Sequence, residues 1–217
     1  MPSSALRSAC NSERNLPIFL KTDSMDWLEI AKDAIFNKQI VALAYERLFG
    51  LAADATSPEA VAKVAAIKER DPESEGPRPI AVILPNASAV EMVAESISPE
   101  AERLADRFWP GPLTLIVCAR PSLPRPLVSP TGGIGVRAAG PSPAAMLAAA
   151  CGLPLTATSA NRAGETDSLR HTDMAGIDGI DIIVEGAVDG PPGSTVVDVM
   201  GRTPRVLRQG VIDIEEA

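Results

Sequence analysis

The eight residues Pro154-Leu155-Thr156-Ala157-Thr158-Ser159-Ala160-Asn161 begin as a short apolar segment and end in hydroxyls and an amide. A run of that length and character reads as a buried strand whose carboxyl end opens into a polar place. In open α/β sheets, ligands sit beyond the carboxyl ends of strands. Thr158, Ser159 and Asn161 carry donors and acceptors but no fixed charge, and such groups orient a substrate rather than attack it. An ordinary turn is the other reading of the same octet, since Ser and Asn close strands widely.

Strand-length apolar runs alternate with helical spacing along the chain, and no internal repeat occurs. Residues 24–26 can cap a helix that carries Trp27, Ile30, Ala31, Ala34 and Ile35. Residues 39–44 read as a strand and 50–55 as a loop. Ser57-Pro58-Glu59 opens a second helix with a cap and a proline at its first position, running through Val61, Val64 and Ile67 to Lys68. The prolines, glycine and charges of 71–79 read as a mobile loop. Further strands are expected over 79–84, 113–118, 135–137, 179–184, 195–200 and 205–208. Helical patterns cover 88–96, 99–108 and 142–150. This interleaving predicts an α/β or α+β fold around a mixed sheet, with no linker separating two domains. Aromatics make up only 3% of the 217 residues, so the core rests on Ala, Val, Leu and Ile. Residues 1–24 lack periodicity and read as a disordered extension, or as a misassigned start with Met25 as the real one. The organised domain is expected over 25–217.

A net charge of −8 argues against broad nucleic-acid binding, which needs a basic footprint. It leaves room for a small basic cleft. The cysteines, Cys10, Cys118 and Cys151, are odd in number and form no Cys-x-x-Cys pair. That pattern fits a reducing, cytoplasmic setting, with Cys118 and Cys151 as core thiols. No apolar run reaches membrane-spanning length. The single histidine, His171, lies in a polar connection and reads as a surface residue, which disfavours a serine-hydrolase triad or a histidine metal site.

Four basic residues stand at ends of predicted elements: Lys68 and Arg70 where a helix meets a loop, Arg137 and Arg208 at the ends of strands. Each alone can be a solvated charge. Strand ends of one sheet converge, however, and Lys and Arg together with the hydroxyls of Ser159, Ser194 and Thr195 make a phosphate-type site. No Gly-rich phosphate loop is present, so side chains and scattered amides would hold a nucleotide. Asp198 could hold a metal ion or pair with an arginine. Such a site suits adenylyl transfer, which needs positioning and charge neutralisation more than a covalent nucleophile.

Seven segments then resemble, in order, the Sua5/YciO/YrdC family of threonylcarbamoyl-AMP synthases. They are Gly50-Leu51-Ala52-Ala53-Asp54-Ala55, Ile67-Lys68-Glu69-Arg70, Phe108-Trp109-Pro110-Gly111-Pro112-Leu113-Thr114, Gly135-Val136-Arg137, Thr158-Ser159-Ala160-Asn161, Ser194-Thr195-Val196-Val197-Asp198 and Leu207-Arg208-Gln209-Gly210. The resemblance implies a twisted mixed sheet with helices around a concave basic cleft, in the short single-domain form. It implies condensation of L-threonine, bicarbonate and ATP into threonylcarbamoyl-adenylate and pyrophosphate, with magnesium accompanying ATP. A separate transferase would use the product to modify tRNA. By similarity, Lys68 and Arg70 hold the ATP phosphates, and Ser159 and Asn161 line the pocket with Thr158 beside them. Ser194 and Arg208 complete the nucleotide contacts, and Arg137 serves charged groups.

Departures from the family pattern cluster at its amino-acid end. A Pro-Thr-Glu/Asp-Thr-x-Tyr-Gly-Leu segment reads here Ala44-Tyr45-Glu46-Arg47-Leu48-Phe49-Gly50-Leu51, so large side chains, Tyr45 and Arg47, replace both threonines. Asp71 replaces the proline after Lys-x-Arg, and Glu73 and Glu75 follow. The nucleotide half looks retained and the threonine half altered. The alternatives are a YciO-like paralogue acting on another substrate, or a non-catalytic nucleotide- or RNA-binding protein. The acidic balance argues against the RNA version.

Overall fold

The computed structural model describes residues 16–24, 26–70, 79–162 and 164–214. Residues 1–15, Met25 with the alternative start, and the acidic loop bearing Asp71, Glu73 and Glu75 lie outside them. In chain order the strands are β1 Ile18–Leu20, β2 Val41–Tyr45, β3 Leu48–Ala52, β4 Ala81–Leu84, β5 Ala94–Ser96 and β6 Leu113–Ala119. They continue with β7 Gly133–Ala138, β8 Leu155–Ser159, β9 Ile182–Val184, β10 Thr195–Asp198 and β11 Arg205–Arg208. Among the described residues four α-helices join them: α1 Trp27–Phe36, α2 Pro58–Ile67, α3 Pro99–Phe108 and α4 Pro143–Cys151.

The strands form one twisted mixed sheet in the order β1-β9-β2-β3-β8-β4-β7-β6-β10-β11, with β5 paired to β6. Four pairs are parallel (β1 with β9, β2 with β9, β4 with β7, β6 with β10) and the others described are antiparallel. Three of the helices start the same way. Ser57, Ser98 and Ser142 accept a hydrogen bond from the backbone N–H three residues on, and a proline fills the next position. The serine oxygen satisfies a backbone donor that the first helical turn leaves open, and proline lacks the donor there anyway. Gly152 ends α4 at φ 65°, a left-handed cap that favours glycine.

Side-chain alternation divides the sheet faces. Phe49, Leu51, Val82, Leu84, Leu115, Ile134 and Val136 join Val61 and Val64 of α2 and Leu104 of α3 in the larger core. Val41, Leu43, Tyr45, Ile83 and Leu155 point the other way and pack with Trp27, Ile35, Leu147 and Ala148 of α1 and α4 in the smaller core. Helices α1 and α4 cover only part of that second face. Along β4, Ile83 meets the smaller core while Ala81, two residues earlier on the same face, lines an open cavity. The same handover runs along β8 from Leu155 to Ala157 and Ser159.

Four expectations change. The 1–24 extension contains β1, whose Ile18 aligns with Ile182 of β9. The first half of the loop expected over 50–55 belongs to β3, which is paired in full with β2 from Val41–Ala52 to Tyr45–Leu48. Its glycine and alanines are poor strand formers, and burial between β2 and β8 overrides that propensity. The helix expected over 88–96 is a 3-10 helix, Ala87–Met92, followed by β5. Asn86 caps its first turn through Ala89 N–H, and Val93 ends it. The thiols Cys118 and Cys151 are half-buried rather than fully in the core. Among the described residues, no helix is long and apolar enough to cross a membrane.

Candidate functional site

The uncovered part of the second face is a cavity of about 840 Å³. Small residues make its floor: Gly50, Ala81, Gly135 and Ala157, with Thr114, Ile116 and Val196 beside them. A flat ligand can therefore approach the sheet closely. Gly135 keeps that floor low: a Cβ there would sit 3.2 Å from Ala81 Cβ and 3.4 Å from Thr114 Cγ2, a tight contact. Four arginines stand on the walls: Arg47, Arg70, Arg137 and Arg208. Among the described residues, Asp167 is the carboxylate on the same lining. A chain of net charge −8 thus gathers guanidinium groups in one concavity.

Lys68 and Arg70 separate at the end of α2. Arg70 N–H bonds the Ala65 carbonyl at 2.8 Å and Glu69 N–H bonds that of Ala66 at 3.0 Å, the paired bonds of a Schellman turn. Glu69 takes the left-handed position of that turn at φ 50°, where glycine is usual. The reversal sends Arg70 to the cavity and Lys68 into the protein. Lys68 is 7% exposed. Its ammonium donates to the Ser159 carbonyl at 3.1 Å, the Asn161 carbonyl at 2.8 Å and Asn161 Oδ1 at 2.6 Å. Burial, and then the neighbouring Arg70, push its pKa down to about 8, against the pull of Asp167 and Glu165. Asn161 Oδ1 also accepts from Ser159 Oγ at 2.6 Å, and Asn161 Nδ2 donates to the Glu165 carbonyl at 2.6 Å.

The opposite wall is built on the β2–β3 turn. Glu46 sits there at φ 38°. Its Oε2 lies 2.9 Å from Arg137 Nη1, an ion pair without the alignment of a hydrogen bond, and Oε1 accepts from Gly140 N–H. Both side chains are largely buried, at 10% exposure for Arg137 and 14% for Glu46. Burial lowers the Arg137 pKa from its ordinary value, and Glu46 and Tyr45 oppose that shift. Arg47 reaches across the cavity mouth. Its Nε donates to the Pro192 carbonyl at 3.2 Å and Nη2 to that of Pro191 at 3.3 Å, while Nη1 pairs with Asp189 at 3.4 Å. Tyr45 does not project into the opening. Its ring lies across Gly50 and its hydroxyl donates to the Thr156 carbonyl at 2.6 Å. Burial raises the phenol pKa far above the ordinary range.

At the far side, Arg208 donates to the Ser194 carbonyl from Nη2 at 2.8 Å and from Nε at 3.1 Å, and to Ser194 Oγ at 3.0 Å. Ser194 Oγ is also 2.9 Å from Thr114 Oγ1. Thr195, expected among the site hydroxyls, is buried instead and bonds the Ile212 carbonyl at 2.6 Å. Asp198 pairs with Arg205 at 3.2 Å.

Eight of the ten residues singled out from sequence line this cavity: Tyr45, Arg47, Arg70, Arg137, Thr158, Ser159, Ser194 and Arg208. Lys68 and Asn161 stand behind its wall. Sequence reasoning gave no role to Thr114, Asp167 or Glu46. Thr114 closes the Trp109-Pro110-Gly111-Pro112-Leu113-Thr114 run and could have been found there. Asp167 falls in a polar stretch whose spacing carries no signal.

The family model described as "Telomere recombination", that of Sua5/YciO/YrdC proteins, matches residues 33–210. A threonylcarbamoyl-AMP synthase of Pyrococcus abyssi is 31% identical over 199 residues, covering 88% of this chain and 56% of that relative. One of Bacillus subtilis is 32% identical over 188 residues, covering 83% of this chain and 52% of its own length. The chain therefore spans about half the length of these relatives. The crystal structure of P. abyssi Sua5 complexed with L-threonine superposes with a TM-score of 0.80 at 29% identity, over 93% of this chain and 59% of that one. With the match to residues 33–210 and these two relatives, the chain belongs to the Sua5/YciO/YrdC family.

Proposed function

We propose that this protein is a threonylcarbamoyl-AMP synthase, joining L-threonine, bicarbonate and ATP into threonylcarbamoyl-adenylate with release of pyrophosphate. The observation that carries this reading is the convergence of Arg70, Arg137 and Arg208 with the hydroxyls of Ser159 and Ser194 around a floor of small residues. The relatives named as threonylcarbamoyl-AMP synthases support it. The arginines bind phosphate oxygens through planar forks and offset the charge that develops as pyrophosphate departs. The small-residue floor takes the flat base and ribose. Threonine and bicarbonate first give the N-carboxylated amino acid, with loss of water. An oxygen of the new N-carboxylate group attacks the α-phosphorus of ATP, and the bond from that phosphorus to the α,β-bridging oxygen breaks, releasing pyrophosphate. Positioning dominates this chemistry, and among the described residues no histidine or cysteine lines the cavity.

Magnesium fits the donor set when it arrives with the phosphates. Such ions use one or two carboxylates plus phosphate oxygens, and Asp167 is on the wall to provide one. Bound there, the ion would supply charge neutralisation at the phosphates. Tyr45 and Arg47 shape the end of the cavity formed by the β2–β3 turn, where the family pattern has threonines.

The test is pyrophosphate release from ATP in bicarbonate buffer, with each amino acid added in turn and the adenylate identified by mass spectrometry. Threonine-dependent release of threonylcarbamoyl-AMP is the expected result. Release driven by a different amino acid would replace threonine in this assignment, and silence with every amino acid would overturn the synthase reading.

A further inference from the structure

Lys68 is a lysine that an anion cavity should attract, yet it is turned away from that cavity. An ammonium has three protons, and all three of its acceptors here lie in one three-residue turn: two carbonyls and the Asn161 amide oxygen. From that turn the bonding continues outward. Asn161 Oδ1 takes the Ser159 hydroxyl, and Asn161 Nδ2 reaches the Glu165 carbonyl. The anchored segment presents Ser159 on the cavity wall and leads to Asp167, also on that wall. Arg70 lies two residues from Lys68 across the Schellman turn and takes the cavity side.

We infer that Lys68 is a positioning residue, which acts through the Ser159–Asn161 turn to hold Ser159 and Asp167 at the cavity, while Arg70 and Arg208 make the phosphate contacts. This inference rests on reading the cavity as an ATP site. A compact point charge suits the role. A guanidinium spreads its donors over a rigid planar fork, whereas the acceptors of Ser159 and Asn161 surround one nitrogen position. The buried positive charge stays because its acceptors surround it, and removing it leaves those acceptors without their donor.

The experiment is a double-mutant cycle on the full chain with Lys68→Met and Asn161→Leu, read two ways. ATP affinity is measured by calorimetry, and amide hydrogen exchange of Ala160, Asn161 and Glu165 is measured without nucleotide. Each single substitution is expected to weaken ATP binding roughly 10- to 100-fold, the worth of a hydrogen bond to a charged group. The double variant is expected to bind no more weakly than the poorer single one, because both act through one unit. Exchange should accelerate to a similar degree in all three variants. Lys68→Arg, which keeps the charge, should restore little of the affinity. Multiplying losses in the double variant, unchanged exchange in Lys68→Met, or near-complete rescue by Lys68→Arg would each overturn the inference in favour of a direct phosphate contact. A wild-type protein that takes up no ATP would instead defeat the nucleotide reading, and the exchange data would still decide the role of Lys68.

Discussion

The phenol of Tyr45 crosses the backbone of β3 and donates to the Thr156 carbonyl of β8 at 2.6 Å. The crossing is possible because Gly50 lies beneath the ring, where a Cβ would come within 2.6 Å of Tyr45 Cε2. The residue is therefore part of the wall between the α1/α4 core and the cavity. Tyr45→Phe should lower stability by about 1 kcal/mol, the net worth of one hydrogen bond, and leave ATP affinity unchanged. Gly50→Ala should cost about 1–3 kcal/mol by overpacking against the ring. Urea denaturation of both variants checks the pair.

Removing the ring does something different from removing its hydroxyl. Tyr45→Thr together with Arg47→Thr should open space over Gly50 and remove the side-chain bonds from Arg47 to Asp189, Pro191 and Pro192. Threonine-dependent pyrophosphate release should rise in this variant at unchanged ATP affinity. If threonine saturation is the same in the two proteins, neither side chain limits the acyl end.

Glu46 keeps the Arg137 charge company in a largely buried place. Glu46→Gln leaves that guanidinium without its counter-charge, and such losses cost about 3–5 kcal/mol. A midpoint shift of that size is expected in chemical denaturation, with weaker ATP binding. A variant as stable as the parent would mean that solvent reaches Arg137 more freely than its 10% exposure implies.

The depressed Lys68 pKa gives two pH effects of opposite sign. In the unfolded chain the group titrates near 10.5, whereas in the fold it titrates at about 8. Between these values the unfolded chain binds more protons, so this group makes stability rise with pH across that window. ATP affinity should fall as pH passes about 8, because the turn at Ser159–Asn161 loses its charged donor. Lys68→Met should flatten both trends. Denaturation and calorimetry between pH 7 and 10 measure them together.

Much of this layout was legible in the sequence. The Ser-Pro helix starts, the octet ending at Asn161 and the convergence of Arg70, Arg137 and Arg208 follow from local chemistry and from the way strands end together. Strand β3 was missed because glycine and alanines in 50–55 look like a loop until both neighbours bury them. The facing of Lys68 was not legible either. It depends on Glu69 accepting a left-handed backbone that local sequence rules assign to glycine. Asp167 reaches the cavity on a segment held by long-range bonds, Asn161 Nδ2 to the Glu165 carbonyl and Ser168 Oγ to the Ala160 carbonyl, which local spacing does not announce.

Calorimetric titration of the full chain with ATP in magnesium, repeated with Arg70→Ala and Arg208→Ala, asks whether this cavity binds ATP through its arginines. Saturable one-to-one binding is expected, weakened roughly 10-fold or more in each variant with the folded structure retained. Binding of equal strength in all three proteins, or no binding in the wild type, would contradict it.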